Sequence, residues 1–420
     1  CATHLDRLGV ACRVLEASDA VGGRARTDTV DGFLCDRGFQ VFLPAYPDAR
    51  RLLDYDALDL RPFEPGALVR SGGRFHRFSD PWRRPQHLLA TALAPVATLG
   101  DKLRIAGLRS RVQRGTLEAL FARPESTTQA YLERQGFSPR VIDRFFRPFL
   151  GGIFLDGTLA TSSRMFEFVF RMFAQGPATL PAGGLGALAQ QLAAGLPPGT
   201  VELGVRVQSI RPGAVVLEGG AERPADAVVA AVDQSGAQRL LSVGATQPHA
   251  EPESAAPAAA CAPKPAWRGT TCLYFATQQP PTTEPILVLN GEGRGPINTL
   301  CVPSRVAPGY APAGWDLVSV SVLGAERDPD QLTAHVTSQL REWYGRRVDA
   351  WRLLQVCRVP QALPAQPVGW LDPVEKSAVR ADGVVACGDY LDTASIQGAL
   401  ASGRRAAEAV AARCGAGATA

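Results

Sequence analysis

The chain has 420 residues, of which 46% are hydrophobic and 20% charged, and its mean hydropathy is −0.01. These values are typical of globular proteins and exclude the disordered, collagen-like and membrane-spanning classes. The 44 Lys and Arg residues against 40 Asp and Glu leave a formal charge of +4 with no basic run, so nothing indicates nucleic-acid binding.

Metal and disulfide chemistry have little support. The nine cysteines are spread along the chain without a Cys-x-x-Cys pair, so we expect reduced, mostly buried thiols. The five histidines lack metal-ligand spacing, and no metal is expected. No apolar run reaches the ~20 residues that cross a bilayer. Because Cys1 falls partway along a predicted helix, targeting signals cannot be read. We expect a cytoplasmic protein, with peripheral contact to a membrane as an open alternative.

The chain opens with a helix, a strand and an acid. Apolar residues at helical spacing up to Leu8, followed by Gly9, predict a helix over residues 1–8. Val10 to Leu15 predicts a strand, and Glu16 stands at its carboxyl end. In dinucleotide-binding folds an acid at this position accepts the hydroxyl protons of a ribose. The alternative is a surface glutamate that follows a strand.

A glycine pair and an arginine follow. Gly22 and Gly23 allow the backbone to approach a phosphate, and the guanidinium of Arg24 can bind that phosphate in fork geometry. A Gly-Gly-Arg turn is common by chance, but its place six residues after a strand-terminal glutamate favours a pyrophosphate site.

The sequence here resembles the N-terminal FAD signature of the superfamily of flavin amine oxidases, carotenoid (phytoene) desaturases and protoporphyrinogen oxidases. The resemblance rests on Val14 to Ala17, Gly22 to Thr27 and Asp36 to Gln40. It implies FAD as cofactor, held by Glu16, Gly22, Gly23 and Arg24. It also implies that Gly38, Phe39 and Gln40 lie beside the flavin ring. The other interpretation of these three residues is packing under the Gly38 turn. In that family a first strand and a GxGxxG loop come earlier. Residues 1–15 contain one glycine, Gly9, so we expect the sequence to start about one strand and one loop late.

The end of the chain carries a second part of the resemblance. Val384 to Cys387 predicts a buried strand, and Ala394 to Ala407 predicts a helix of small residues. A helix N-terminus near the flavin stabilises the negative charge that reduction places on the ring. The resemblance implies that Gly388 and Asp389 bind the ribityl chain and that Ser395 and Ile396 begin the helix beneath the ring. It also implies a backbone contact from Val207 to adenine, and Val207 is equally compatible with a plain strand residue.

The resemblance predicts the fold class α/β, with a discontinuous Rossmann-like FAD-binding domain and a mixed α+β substrate domain with a helical cap. The FAD-binding domain is expected at 1–45, 175–242 and 375–420, and the substrate domain at 46–174 and 267–374. Residues 243–266, rich in Ala and Pro, are interpreted as a mobile insert. Within the cap, the aromatic stretch Phe145 to Phe154 is compatible with a pocket wall or, as the default, with a helix core.

Absences guide the choice of reaction. Amine oxidases of this superfamily typically use a lysine near flavin N5 and an aromatic cage. The resemblance would place that lysine between residues 290 and 310, and none of Lys102, Lys264 and Lys376 falls there. Ser395 stands where the resemblance would place a tyrosine of the cage. We therefore expect an FAD-dependent oxidoreductase that dehydrogenates or desaturates a small hydrophobic substrate, isoprenoid, carotenoid or tetrapyrrole-like, by hydride transfer to N5.

Three alternatives to this reaction stay open: a flavin amine oxidase, a redox-neutral carotenoid isomerase and a non-catalytic homologue.

Leu88 to Leu108 forms an apolar, Arg-flanked face that could contact a membrane surface. The sequence assigns no catalytic side chain and no oligomeric state.

Overall fold

The structure, a computed structural model, describes residues 1–80, 82–211, 213–242 and 266–415. The chain divides into two compact units. The terminal unit comprises Cys1–Val21, Leu192–Ala266 and Pro373–Ala420, and the central unit comprises Gly22–Gln191 and Trp267–Asp372. Apart from Ala266, the predicted insert at 243–266 lies outside the described residues.

The helices and strands of the described residues are numbered in chain order. The helices are α1 (Ala2–Arg7), α2 (Pro47–Leu52), α3 (Tyr55–Leu58), α4 (Leu88–Leu93), α5 (Leu99–Gln113), α6 (Leu117–Phe121), α7 (Thr128–Arg134), α8 (Pro139–Val141), α9 (Arg147–Phe154), α10 (Ser163–Gln175), α11 (Ala187–Ala194), α12 (Gln234–Ser242), α13 (Pro303–Val306), α14 (Pro329–Tyr344) and α15 (Ile396–Arg413). The strands are β1 (Val14–Glu16), β2 (Thr27–Val30), β3 (Phe33–Asp36), β4 (Leu60–Pro62), β5 (Gly66–Ser71), β6 (Arg74–Ser79), β7 (Thr179–Pro181), β8 (Val201–Leu203), β9 (Val207–Arg211), β10 (Ala214–Leu217), β11 (Glu222–Pro224), β12 (Val229–Ala230), β13 (Trp267–Thr277), β14 (Leu287–Asn290), β15 (Ile297–Cys301), β16 (Asp316–Leu323), β17 (Arg352–Pro364) and β18 (Val385–Ala386).

The first helix is confirmed, and its C-terminal cap explains why the next strand is shorter than predicted. Gly9 adopts a φ of +71°. Its N–H donates to the carbonyl of Asp6 at 3.0 Å, and the N–H of Val10 donates to that of Leu5 at 2.9 Å. This pair of bonds is a Schellman motif. Because Val10 is bonded to the helix it does not enter a strand, and β1 begins only at Val14.

The terminal unit contains the parallel pairings expected of a nucleotide-binding fold. Strand β1 pairs in parallel with β8, and β12 pairs in parallel with β18. Strands β9, β10 and β11 form a separate antiparallel sheet. Strands β8 and β9 are separate because Gly204 makes a turn with φ +71° between them.

The central unit is built on a seven-stranded sheet in the order β17-β13-β16-β15-β14-β5-β6. All its pairings are antiparallel except β14 with β5. One cluster of core residues joins sheet residues such as Val320 to Leu332, Val336 and Leu340 of α14. A second cluster joins the strand residues Cys272 and Tyr274 to the β2–β3 hairpin. The predicted α/β class is confirmed, and residues 85–175, here called the cap, are largely helical.

The aromatic stretch of the cap contributes to a helix core, as its default interpretation predicts. Residues Ile142–Phe146 form a π-helical turn between α8 and α9. Pro148 has no N–H to donate to the carbonyl of Arg144, four residues earlier. The missing helical hydrogen bond accounts for the widened turn. Phe146, Leu150 and Phe154 are buried in the core, whereas Phe145 and Phe149 stay partly exposed. No helix in the described part of the chain is both long and apolar enough to cross a membrane.

Candidate flavin and substrate site

Glu16 ends β1 in the terminal unit and is oriented by its neighbour. Its Oε1 accepts hydrogen bonds from the backbone N–H of Ser18 at 2.8 Å and from the Ser18 hydroxyl at 2.7 Å. The backbone is fixed as well, because the N–H of Val205 donates to the carbonyl of Glu16 and that of Gly204 to Ser18, both at 2.9 Å. The carboxylate is therefore held in one orientation, with Oε2 turned to neither contact. Sequence reasoning missed Ser18; its signal is a serine two residues after the strand-terminal acid.

The two glycines of the predicted pyrophosphate segment have different environments. Gly22 adopts φ +115°, and a Cβ placed there would lie 2.7 Å from the carbonyl oxygen of Ala25, so the turn admits only glycine. Gly23 adopts φ +55°, and a Cβ there would have no heavy atom within 4 Å. The backbone at Gly23 is thus open to a ligand.

Arg24 is oriented by two contacts within the central unit. Its Nη1 donates to the carbonyl of Ala362 at 2.9 Å. Its guanidinium carbon lies 5.7 Å from the ring centroid of Trp267. A planar guanidinium in this position is the side chain best suited to bind a phosphate in fork geometry.

A cleft of about 490 Å³ opens beside these residues. Its lining includes Gly23 and the side chains of Arg24, Arg37 and Arg358. Arg37 makes a bidentate pair with Asp28 at 3.0 and 3.1 Å. The volume is in the range of ligand pockets. Asp28 neutralises Arg37, so the charge that favours an anionic occupant comes from Arg24 and Arg358. Sequence reasoning did not find Arg358, because this residue joins the cleft from more than three hundred residues away.

The segment predicted to lie beside the flavin ring is bonded to the glycine–arginine segment. Gln40 Nε2 donates to the backbone carbonyl of Arg24 at 2.9 Å and to that of Arg37 at 3.4 Å. Gly38 adopts φ +84°. Phe39 packs edge-to-face on Phe63, with 6.3 Å between the centroids. The central unit therefore brings Gly23, Arg24 and residues 38–40 together through Gln40.

The buried carboxylate of Asp36 joins three parts of the central unit by hydrogen bonds. Asp36 is 4% exposed. Its Oδ1 accepts from the Thr27 hydroxyl at 2.5 Å and from the N–H of Leu185 at 2.9 Å, and its Oδ2 accepts from the Tyr310 hydroxyl at 2.8 Å. Burial raises the pKa of Asp36, although the three hydrogen bonds oppose that shift. Gly184 is required here, since a Cβ would lie 2.4 Å from Thr27 Oγ1.

The Gly-Asp pair of the terminal unit follows β18. The N–H of Gly388 donates to the Ser402 hydroxyl at 3.0 Å. A Cβ on Gly388 would lie 2.5 Å from the ring of Tyr390, so this glycine allows the ring to pack against the backbone. Asp389 is 4% exposed and begins a short 3-10 turn. Val207, the residue predicted to contact adenine, is partly buried at the start of β9, opposite Leu217.

The last helix begins two residues later than predicted, because Ser395 caps it. The Ser395 hydroxyl accepts from the N–H of Gly398 at 3.1 Å, and α15 starts at Ile396. A Cβ at Gly398 would lie 1.9 Å from the carbonyl oxygen of Thr393, so only glycine fits. The first turn of α15 contains no acid. No acid of the first turn therefore offsets the partial positive charge at the N-terminus of α15.

These features fit FAD. Gly23 offers open backbone, three arginines line the adjacent cleft, and a helix with an acid-free first turn follows the Gly-Asp pair. Within the described ranges, no group of His, Cys, Asp and Glu could hold a metal ion.

Lysines are scarce. Lys102 is the one lysine of the central unit, and its Nζ donates to the carbonyl of Ala92 in the cap at 2.7 Å. Lys376 belongs to the terminal unit, where burial lowers its pKa. Lys264 lies outside the described residues.

Comparison with known proteins supports the class that the geometry indicates. The model of the family described as flavin-containing amine oxidoreductase matches residues 1–411. The chain therefore belongs to this family. It is an FAD-dependent oxidoreductase.

Solved structures share the fold. An oxidoreductase from Methanosarcina mazei has a TM-score of 0.72 and 17% identity, with 97% of this chain and 96% of that chain covered. A protein from Exiguobacterium sp. 255-15, described as a protoporphyrinogen oxidase, gives 0.70 and 18%, with 97% and 95% covered. Putrescine oxidase bound to putrescine gives 0.68 and 16%, with 98% and 96% covered. At these identities the likeness shows the fold alone. No curated protein matches the chain.

Proposed function

We propose that this enzyme dehydrogenates or desaturates a small hydrophobic substrate of the isoprenoid, carotenoid or tetrapyrrole kind. FAD, when bound, supplies a hydride acceptor at N5 of its ring. The protein then has to hold the cofactor, orient a C–H bond and exclude water.

Under this proposal the central unit binds the pyrophosphate and one side of the ring. Gly22 and Gly23 admit the phosphates to the backbone, and Arg24 neutralises their charge. Gly38, Phe39 and Gln40 lie beside the ring. The hydrogen bond from Gln40 Nε2 to the Arg24 carbonyl supports this assignment, since it couples the two segments at 2.9 Å.

The terminal unit supplies the remaining cofactor contacts in this proposal. Glu16 accepts the ribose hydroxyl protons, in the orientation that Ser18 imposes. Gly388 and Asp389 bind the ribityl chain. The N-terminus of α15 at Ser395 and Ile396 stabilises negative charge on the reduced ring. Val207 contacts adenine through its backbone.

The observation that carries the substrate class is the engagement of Lys102. An amine-oxidase lysine acts near the flavin ring, but Lys102 is bonded to the cap carbonyl of Ala92 and is the one lysine in the central unit. Its pKa is lowered by burial. The central unit thus offers no second lysine to assist amine oxidation, and a substrate without an amine needs none.

A row of aromatic rings offers an apolar surface for that substrate. Phe145 and Phe149 stack at 5.4 Å, and Phe149 contacts Phe173 at 5.4 Å. All three rings are partly exposed. Contacts of this kind suit the face of a polyene or a tetrapyrrole better than an ammonium with its hydration shell.

Product and acceptor analysis tests the proposal. The holoenzyme is incubated with an acyclic polyene, a porphyrinogen or putrescine, together with a quinone or oxygen. With one of the first two substrates we expect one acceptor molecule reduced by two electrons for every two hydrogen atoms that the product has lost, and we expect no turnover of putrescine. Turnover of putrescine alone would assign the enzyme to the amine oxidases. A product of unchanged mass, formed without acceptor consumption, would assign it to the redox-neutral isomerases.

A matched pair of variants tests the aromatic row. Phe149→Asp places a charge among the rings and is expected to raise the KM for the hydrophobic substrate about tenfold or more, with unchanged flavin content. Leu353→Asp is the control, because Leu353 is 39% exposed on β17 of the same unit. Equal effects of the two substitutions would contradict a substrate role for the row.

A further inference from the structure

Four large apolar side chains are far more exposed than expected for a packed helical cap. Among the described residues, the most exposed large hydrophobic side chains are Leu93 at 74%, Leu99 at 71%, Leu103 at 68% and Trp82 at 53%. All four fall within a stretch of 22 residues of the central unit. Isolated exposed leucines need no explanation, but a concentration of this kind marks an interaction surface.

The three leucines lie at one corner of the cap, here called the leucine corner (Leu93, Leu99 and Leu103). Leu93 is the last residue of α4 and Leu99 the first of α5. Leu103 follows Leu99 by one helical turn on the same face. The hydrogen bond from Lys102 Nζ to the carbonyl of Ala92 joins the end of α4 to the start of α5.

The leucine corner is rigidly built, so its exposure is not a result of loose packing. Between the helices, Val96 is 0% and Ala97 5% exposed. Thr98 and Asp101 form a capping box at the start of α5. The Asp101 carboxylate also accepts from the N–H of Ser138 at 2.8 Å and from its hydroxyl at 2.6 Å. The leucines are therefore presented outward by a fixed frame.

The charge around the leucine corner is positive. Residues 82–115 contain seven Lys and Arg residues and a single acid. Three of the seven, Arg83, Arg84 and Arg109, pair with Asp80 or Glu64 outside this stretch, and the other four are Lys102, Arg104, Arg111 and Arg114. The single acid is Asp101, which is 0% exposed and bonded to Thr98 and Ser138. Lys102 and Arg104 flank Leu103 directly. Neither has an ion pair with a carboxylate among the described residues.

We propose that the leucine corner is a docking surface for an anionic lipid bilayer. Three leucines with adjacent cations combine apolar insertion into the acyl boundary with attraction to negative headgroups. A protein partner is the poorer match, since three side chains at a protruding corner fall short of the roughly 800 Å² per partner that a stable protein interface buries. This inference does not depend on the proposed substrate.

Vesicle co-sedimentation with the full-length holoenzyme tests the proposal. We expect binding to vesicles of phosphatidylcholine with phosphatidylglycerol, little binding to phosphatidylcholine alone, and a decrease as salt is raised. The triple substitution Leu93→Asn, Leu99→Asn, Leu103→Asn is expected to weaken binding to anionic vesicles more than about tenfold. Lys102→Gln with Arg104→Gln is expected to weaken it about fivefold per cation at low salt.

A matched control separates this surface from general stickiness. The triple substitution Leu203→Asn, Leu353→Asn, Val368→Asn removes apolar side chains that are 47%, 39% and 47% exposed elsewhere on the chain, and it should leave vesicle binding unchanged. Thermal unfolding checks that both triple variants fold. Absence of wild-type binding to anionic vesicles, or equal loss in both triple variants, would overturn the proposal. So would a dimer in light scattering that only the leucine-corner variant abolishes, because the surface would then belong to a second copy of the chain.

Discussion

The terminal and central units position their functional groups in different ways. In the terminal unit, the side chains of Glu16 and Ser395 bond to near neighbours in the sequence, Ser18 and Gly398. In the central unit, the carboxylate of Asp36 gathers Leu185 and Tyr310, which are 149 and 274 residues away. The first kind of site can be recognised in a sequence, whereas the second exists only after the chain has folded.

The largest effect is expected at the start of α15 in the terminal unit, where the turn is recognisable from the sequence. Substitution of Gly398 tests whether the fold requires that turn. Gly398→Ala places a Cβ 1.9 Å from the Thr393 carbonyl oxygen, so the start of α15 has to shift. We expect a loss of about 3 kcal/mol in the free energy of unfolding, and loss of bound flavin. Gly107→Ala is the control, since a Cβ there meets no heavy atom within 4 Å; it should gain about 0.5 kcal/mol. Similar stability of the two variants in urea titrations would refute this account of the turn.

The next effect tests the non-local network. Asp36→Ala leaves the Tyr310 hydroxyl and the Leu185 N–H without their acceptor and should cost about 3 kcal/mol in the free energy of unfolding. Asp36→Asn keeps an acceptor and should cost less than half as much. A cost for Asn as large as that for Ala would mean that the charge, and not the hydrogen bonds, holds the network.

The same pair predicts a pH dependence. Because burial raises the pKa of Asp36, the folded state keeps this proton to a higher pH than the unfolded chain does. The contribution of Asp36 to stability therefore falls as pH rises from about 4 through the folded-state pKa and is constant above it. Urea unfolding of the wild type and Asp36→Asn should show the wild type losing ground over that interval. A wild type whose free energy of unfolding rises with pH relative to that of Asp36→Asn would contradict the raised pKa.

A smaller effect concerns the cofactor. Arg24→Ala should raise the Kd for FAD about tenfold, because a charge-assisted hydrogen bond to phosphate is lost. Arg24→Lys keeps the charge but not the fork geometry and should raise it about fivefold. Flavin fluorescence titrations of stripped protein measure both, with circular dichroism as the check on folding. Unchanged Kd values would remove Arg24 from the pyrophosphate site.

The smallest effect is expected at Ser18. Ser18→Ala removes the hydroxyl hydrogen bond to Glu16 but keeps the bond from the backbone N–H of residue 18, so we expect the Kd for FAD to rise only about threefold. Ser377→Ala is the control, since the Ser377 hydroxyl bonds only within an exposed turn of the same unit. An equal change in the two variants would show that Ser18 does not act through Glu16.

The sequence predicted the elements whose causes are local. The helix before Gly9, the strand before Gly388 and the helix after Ser395 all follow from short patterns of apolar, capping and glycine residues. Boundaries were wrong where one extra hydrogen bond decides them: Val10 bonds back to α1, and Ser395 caps α15.

The site could be predicted only in part. The assignments of Glu16 and Arg24 to FAD, and the domain limits that follow from them, remain predictions. Arg358 in the cleft and Tyr310 on Asp36 escaped notice because strand pairing and packing bring them there from distant parts of the chain. The exposure of the leucine corner also required the structure, since the same leucines at helical spacing are compatible with a buried face.

Rapid anaerobic mixing of the oxidised holoenzyme with candidate substrates tests the central claim most directly. The central claim is that this flavin enzyme, with its cap-bound Lys102, acts on a hydrophobic substrate and not on an amine. The absorbance of the bound flavin near ~450 nm is followed after mixing with an acyclic polyene, a porphyrinogen or putrescine. The account predicts bleaching by the polyene or the porphyrinogen and none by putrescine. Rapid bleaching by putrescine, with none by the other two, would contradict it.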